Sequence, residues 1–172
     1  MKSNFDAALT ALLKTGREGG FSNNPADPGG MTNLGVTKRV LEAWVGHPVT
    51  EAAMRALTPA LVAPMYRLRY WDAASCNDLP AGIDYAVFDC AVNSGPARAI
   101  KLLQEAVGAT PDGVIGPNTL AAVAKQEPVT LINAYNMVRL TFMKSLPAWD
   151  DFKNGWTRRV VEITAESMSL VA

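Results

Sequence analysis

The stretch from Phe21 to Val36 constrains this chain more than any other. It holds two prolines, three glycines and three asparagines, and it has no helical period. Ahead of it, Phe5, Ala8, Leu9, Leu12 and Leu13 recur at spacings of three and four, which predicts a helix over 4–17. Gly19-Gly20 ends that helix, because glycine accepts the left-handed conformation of a helix C-terminus. The irregular stretch that follows predicts a long structured loop with a small β-hairpin. Phe21-Ser22 pairs with Met31 to Val36 around the turn Asp27-Pro28-Gly29-Gly30. A loop of this length is uncommon in a compact domain and is often functional.

Helical signals fill the rest of the chain. Thr37 caps a helix over 38–45, and Thr50 caps a short one over 51–57. Thr58-Pro59 opens 59–72, with proline at the first helical position. Further helices are predicted over 82–92, from Pro96 through Val107, from Pro117 to 126, from Pro128 to Leu146, and over 154–170. The expected fold is mainly α: a helical domain with a small β-hairpin or loop after the first helix.

Composition removes several classes of function. Hydrophobic residues make up 49% and charged residues 19%, which excludes a disordered chain. Sixteen Lys and Arg balance sixteen Asp and Glu, against the phosphate-neutralising charge of a nucleic-acid binder, so no nucleic acid is expected as a partner. Residues 1–70 carry eight bases and five acids, and 71–137 three bases and seven acids, a mild asymmetry within ordinary surface variation. Cys76 and Cys90 are too few for a disulfide framework or a zinc site. The single His47 lies in a Gly-His-Pro turn, which leaves serine or cysteine triads without a base. Acid–base chemistry then falls to carboxylates, with no metal and no organic cofactor expected. The amino terminus lacks the apolar run of a secretory signal. No stretch approaches the roughly 20 apolar residues of a membrane span, so no membrane insertion is expected. The chain is expected to be made in the cytoplasm and to need an export system or a holin for work beyond the membrane.

Glu18 is the leading chemical candidate. It stands at the end of the first predicted helix, where the helix carries roughly half a negative charge. A carboxylate there is disfavoured, and the protonated acid is favoured. A carboxyl group that keeps its proton near neutral pH suits protonation of a glycosidic leaving oxygen. Asp27, in a turn flanked by proline, fits two readings: a second catalytic carboxylate, or an Asx turn before Pro-Gly-Gly. Thr32 either holds a water through its hydroxyl or bonds the hairpin backbone.

The run from Glu18 to Thr37, EGGFSNNPADPGGMTNLGVT, resembles the signature of glycoside hydrolase family 108, small bacterial and phage N-acetylmuramidases. Phe21 stands where that family has tyrosine, and Val36 where it has isoleucine. The stacking face survives the first change and the phenol hydroxyl does not. Leu79 to Asp84, followed by Phe88 to Pro96 and Leu102-Leu103-Gln104, resembles the family's second block. Asp112 to Leu120 is similar to the core of a predicted peptidoglycan-binding segment that accompanies it.

The resemblance implies a lysozyme-like α-helical fold. It also implies a lysozyme-type glycoside hydrolase, cutting the β-1,4 bond between N-acetylmuramic acid and N-acetylglucosamine in the peptidoglycan glycan strand. Glu18 would be the catalytic acid, with Asp27, nine residues on, and Thr32 holding the attacking water. An offset of one residue would put Asn33 in place of Thr32. Phe21, Ser22, Asn33, Asn93, Ser94 and Trp71 are the candidate sugar-binding residues. Asn93 and Ser94 also suit a helix end, and Trp71 also suits a core. A single domain over 1–172 is expected, with the catalytic motifs in 1–95 and the peptidoglycan-binding-like helices of 96–172 packed into the same fold. A monomer and a homodimer, through Val160, Val161 and Ile163, both remain open. A lytic transglycosylase and a non-catalytic wall-binding or secretion-assisting module are the rival functions.

Overall fold

The computed structural model describes residues 4–14, 19–23 and 30–171. Glu18 and Asp27 lie outside the described residues. The fold is mainly α, of the lysozyme-like type, with a small antiparallel sheet after the first helix. The chain divides into two compact units, Phe5–Leu68 in one and Arg69–Ala172 with Asn4 in the other.

The first unit opens with α1 (Phe5–Leu12), whose Phe5, Ala8, Leu9 and Leu12 are buried at the spacing the sequence predicts. It packs on α4 (Pro59–Tyr66), which buries Val62, Met65 and Tyr66. Between them come β1 (Phe21–Asn23), β2 (Met31–Asn33) and β3 (Val36–Thr37), in that order across one sheet. The expected single hairpin is thus two. Met31 to Val36 does not run straight, because Leu34 (φ 50°) and Gly35 (φ 70°) form a two-residue turn between β2 and β3. Both turn residues have positive φ, the conformation whose twist suits a tight hairpin. Leucine is a poor residue for it, and tertiary bonds hold it there. The Leu34 amide donates to Gly20 O at 3.3 Å, and the Tyr66 hydroxyl donates to Leu34 O at 2.9 Å.

Thr37 ends β3 and caps α2 (Lys38–Val45), accepting from the Val40 amide at 3.2 Å. Thr50 caps α3 (Glu51–Arg55) in the same way, and Thr58 caps α4 with Pro59 behind it. All three caps are those predicted. Past Pro64, which has no amide proton to give the helical ladder, the coil widens into a π-helical segment, Arg67–Asp72.

In the second unit, α5 (Ile83–Ser94) is buried from Ile83 to Ala91 on every face. It contacts α6 (Pro96–Ala106), α8 (Pro128–Lys144) and α9 (Trp149–Ser169). A helix buried all round is an interior helix, and its two carboxylates, Asp84 and Asp89, are buried with it. Gly82 starts it at φ 85°, and a β-carbon there would lie 2.5 Å from Ser167 O and 2.9 Å from Ile132 Cδ1. The short α7 (Pro117–Val123) follows a turn built on Gln104. The Gln104 Nε2 reaches Asp112 Oδ1 at 2.7 Å, Val114 O at 3.0 Å and Thr119 Oγ1 at 3.1 Å, while its Oε1 accepts from the Gly113 amide at 2.9 Å. The Asp112–Gly116 motif is therefore a folded turn and helix entry. The last helix starts at Trp149, five residues earlier than the pattern predicts, because Asp150 and Asp151 in its first turn complement the positive helix end.

Candidate functional site

The register of the sheet sorts the candidate residues. Ser22 pairs with Thr32, and Thr32 pairs with Thr37, giving a row of three hydroxyl residues across the strands. The adjacent row is Phe21, Asn33 and Val36. Directly opposed residues share a face, and neighbours along a strand alternate. Val36 is buried, and the Asn33 amide donates to Met54 O in α3 at 2.8 Å. That row thus faces α3, and the Ser22–Thr32–Thr37 row faces the other way. Ser22 is exposed and Thr32 half-buried.

This alternation separates two residues that the sequence leaves as substitutes for one another. Asn33 is 6% exposed, with its amide committed to a backbone carbonyl. It ties β2 to α3. Phe21 is on the Asn33 side, and the Arg55 guanidinium covers one face of its ring at 3.8 Å from the centroid. A cation over a ring at this distance is an attractive contact of about 0.5–1 kcal/mol. Arg55 also bonds Glu51 Oε1 at 2.7 Å. Nothing in the local sequence singles out Arg55 as the cover of Phe21, since the two meet only when α3 packs on the sheet.

Gly19 is the described residue next to Glu18. A β-carbon on it would lie 2.6 Å from Leu13 O and 3.0 Å from Lys14 C. Its backbone therefore rests against the C-terminal end of the first helix, where Leu13 and Lys14 still bond back to Leu9 O and Ala11 O.

The remaining candidates belong to the second unit. Asn93 is exposed and Ser94 half-buried at the end of α5, where the Ser94 Oγ donates to Asn93 Oδ1 at 3.4 Å. Trp71 is 0% exposed. Its Nε1 donates to Asn77 Oδ1 at 2.8 Å, and it meets Phe88 edge to face at 5.3 Å. It offers no face to a sugar, which corrects its place among the binding residues in favour of the core. Asp89 sits 0% exposed between two arginines, with Arg139 Nη2 at 2.7 Å and Arg159 Nη2 at 2.8 Å. Burial raises a carboxyl pKa, but here the two guanidinium charges outweigh it and hold Asp89 below its ordinary value. Among the described residues no such cation meets Asp84, and burial pushes its pKa up despite bonds from Asn4 and the Tyr85 amide.

Residues 13–95 match the family model described as Glycosyl hydrolase 108, and residues 98–161 match that described as Predicted Peptidoglycan domain. The solved structure of Brucella abortus SagA is 42% identical to this chain, with 99% of this chain and 97% of that one covered, at a TM-score of 0.85. The chain belongs to the glycosyl hydrolase 108 family. No curated protein matches it.

As a member of glycosyl hydrolase 108, this chain is a glycoside hydrolase of a peptidoglycan-hydrolysing family. In this hydrolase the motif-bearing sheet belongs to the first unit, and the second motif block, carried by α5, belongs to the second. Among the described residues no helix is long and apolar enough to cross a membrane.

Proposed function

We propose that this hydrolase is an N-acetylmuramidase, with Glu18 as the general acid on the β-1,4 bond between N-acetylmuramic acid and N-acetylglucosamine. The observation that carries the reading is the Glu18-to-Thr37 run, with Glu18 at its head, in a chain of this family. Protonated Glu18 gives its proton to the glycosidic oxygen as the bond to the muramic anomeric carbon breaks. Water, positioned by Asp27 and by the Thr32 hydroxyl, then adds to the anomeric carbon and gives its proton to a carboxylate, Asp27 or the newly ionised Glu18. A charged carboxylate stabilises the oxocarbenium-like transition state. The orientation of Thr32 away from α3 leaves its hydroxyl free of the core face and supports it over Asn33 in this role. The enzyme works on the wall after release by an export system or a holin.

The test is Glu18→Gln on purified sacculi. The variant is expected to melt as the parent does and to lose wall-clearing activity by about three powers of ten or more. Equal clearing by the variant removes Glu18 from the mechanism. Mass spectrometry of the released fragments reads the reaction class. Reducing muramic ends mark hydrolysis, and ends lighter by one water mark a transglycosylase.

A further inference from the structure

We propose that the trough between α6 and α8 binds the peptide portion of peptidoglycan, a short chain carrying both a carboxylate and an ammonium group. The inference rests on the peptidoglycan reading and adds to it a site separate from the proposed catalytic sheet. The trough has a volume of about 480 Å³, within the range of small-ligand sites. Leu102 and Val138 give it an apolar lining, and Phe142 supplies an aromatic wall.

Two charges stand on this trough without counter-ions among the described residues. The Arg98 guanidinium lies over the Phe142 ring, 4.4 Å from its centroid. Stacking uses the face of the guanidinium and leaves its edge, the fork that matches a carboxylate, open. The Glu105 carboxylate has no hydrogen-bond or ion-pair partner among the described residues. Arg98 and Glu105 are seven positions apart on α6, two turns of the same face, which puts them roughly 10 Å apart along the axis at 1.5 Å per residue. Their opposite signs do not neutralise each other at that separation. They match an extended peptide of about three residues at roughly 3.3 Å each, with a carboxylate at one end and a side-chain ammonium near the other. A bare glycan strand has no ammonium to offer Glu105, whereas a wall peptide with a diamino acid has both groups. The hydroxyls of Thr141 and Ser145 donate to Met137 O and Phe142 O of their own helix, which leaves their oxygens free to accept from a peptide amide.

The experiment is calorimetric titration of the full chain with a synthetic wall tripeptide ending in a diamino acid. A second arm uses the same peptide with its carboxylates amidated and its amines acetylated. Arg98→Gln and Glu105→Gln are expected each to weaken binding about five- to ten-fold, and the blocked peptide is expected not to bind. Absence of binding by the parent chain, or equal binding by the double variant, overturns the proposal. Both side chains are exposed, so unchanged thermal melts are expected to verify that the variants fold. Cleavage of peptide-free glycan by the parent chain is read separately. A protein that binds the peptide and leaves the glycan uncut keeps the trough and loses the N-acetylmuramidase reading. One that cuts the glycan and ignores the peptide loses the trough.

Discussion

Thr32 and Asn33, neighbours in β2, stand on opposite faces of the three-stranded sheet, and only Asn33 is bonded to α3. Truncation therefore has opposite signatures at the two positions. Asn33→Ala takes from Met54 O its shorter bond and leaves it the Leu57 amide at 3.4 Å, and is expected to cost about 1 kcal/mol in a urea melt. Thr32→Val keeps the shape and the strand preference, so its melt is expected within about 0.5 kcal/mol of the parent. Its rate on sacculi is expected to fall about ten-fold or more, the loss of one positioned hydrogen bond to water. An unchanged rate returns Thr32 to the role of a hairpin residue.

Gly19 offers a way to disturb the neighbourhood of Glu18 without touching its carboxyl. Gly19→Ala forces a methyl to within 2.6 Å of Leu13 O, where backbone and not a flexible side chain must give way. The expected result is a lower melting point together with loss of wall clearing. Gly155 in α9 is the contrast, with open space around a β-carbon. Gly155→Ala is expected to raise stability by about 0.5–1 kcal/mol through helix propensity alone, with activity unchanged.

Asp89 sets an acid limit on the fold. Its pKa is lowered in the folded chain, so its contribution is full above the ordinary carboxylate value of 3.8 and fades as pH falls below it. Stability measured by denaturant between neutral pH and pH 2 is expected to show this loss. Asp89→Asn is expected to cost about 3–5 kcal/mol at neutral pH, because Arg139 is left charged and buried. Arg159→Gln removes a partly exposed partner and is expected to cost less.

Trp71 separates packing from binding. Trp71→Phe removes the bond to Asn77 and opens space beside Phe88, with an expected loss of about 2 kcal/mol. The KM for wall fragments is expected to stay as in the parent. A raised KM at unchanged stability would return Trp71 to the sugar-binding set.

The sequence by itself determined which helices form and where three of them start, while the early start of the last helix and the second hairpin turn at Leu34-Gly35 were not legible in it. Thr37, Thr50 and Thr58 cap the helices predicted for them, and the apolar stripe of α1 is buried as its spacing requires. These features are local: a hydroxyl reaches an amide three residues on, and a helical face repeats every turn. The family is legible for the same reason, since its signature is one contiguous run from Glu18 to Thr37. The predicted catalytic pair, Glu18 and Asp27, lies outside the described residues, so its reading stays with the sequence. Tertiary structure alone decided the face of the sheet on which Thr32 and Asn33 each stand. It alone placed Arg55 over Phe21, Trp71 in the core, and Arg139 and Arg159 on Asp89 across 50 and 70 residues of chain. Such pairings depend on how elements pack after they form, and no periodicity in the sequence encodes which distant charge or carbonyl a buried side chain will meet.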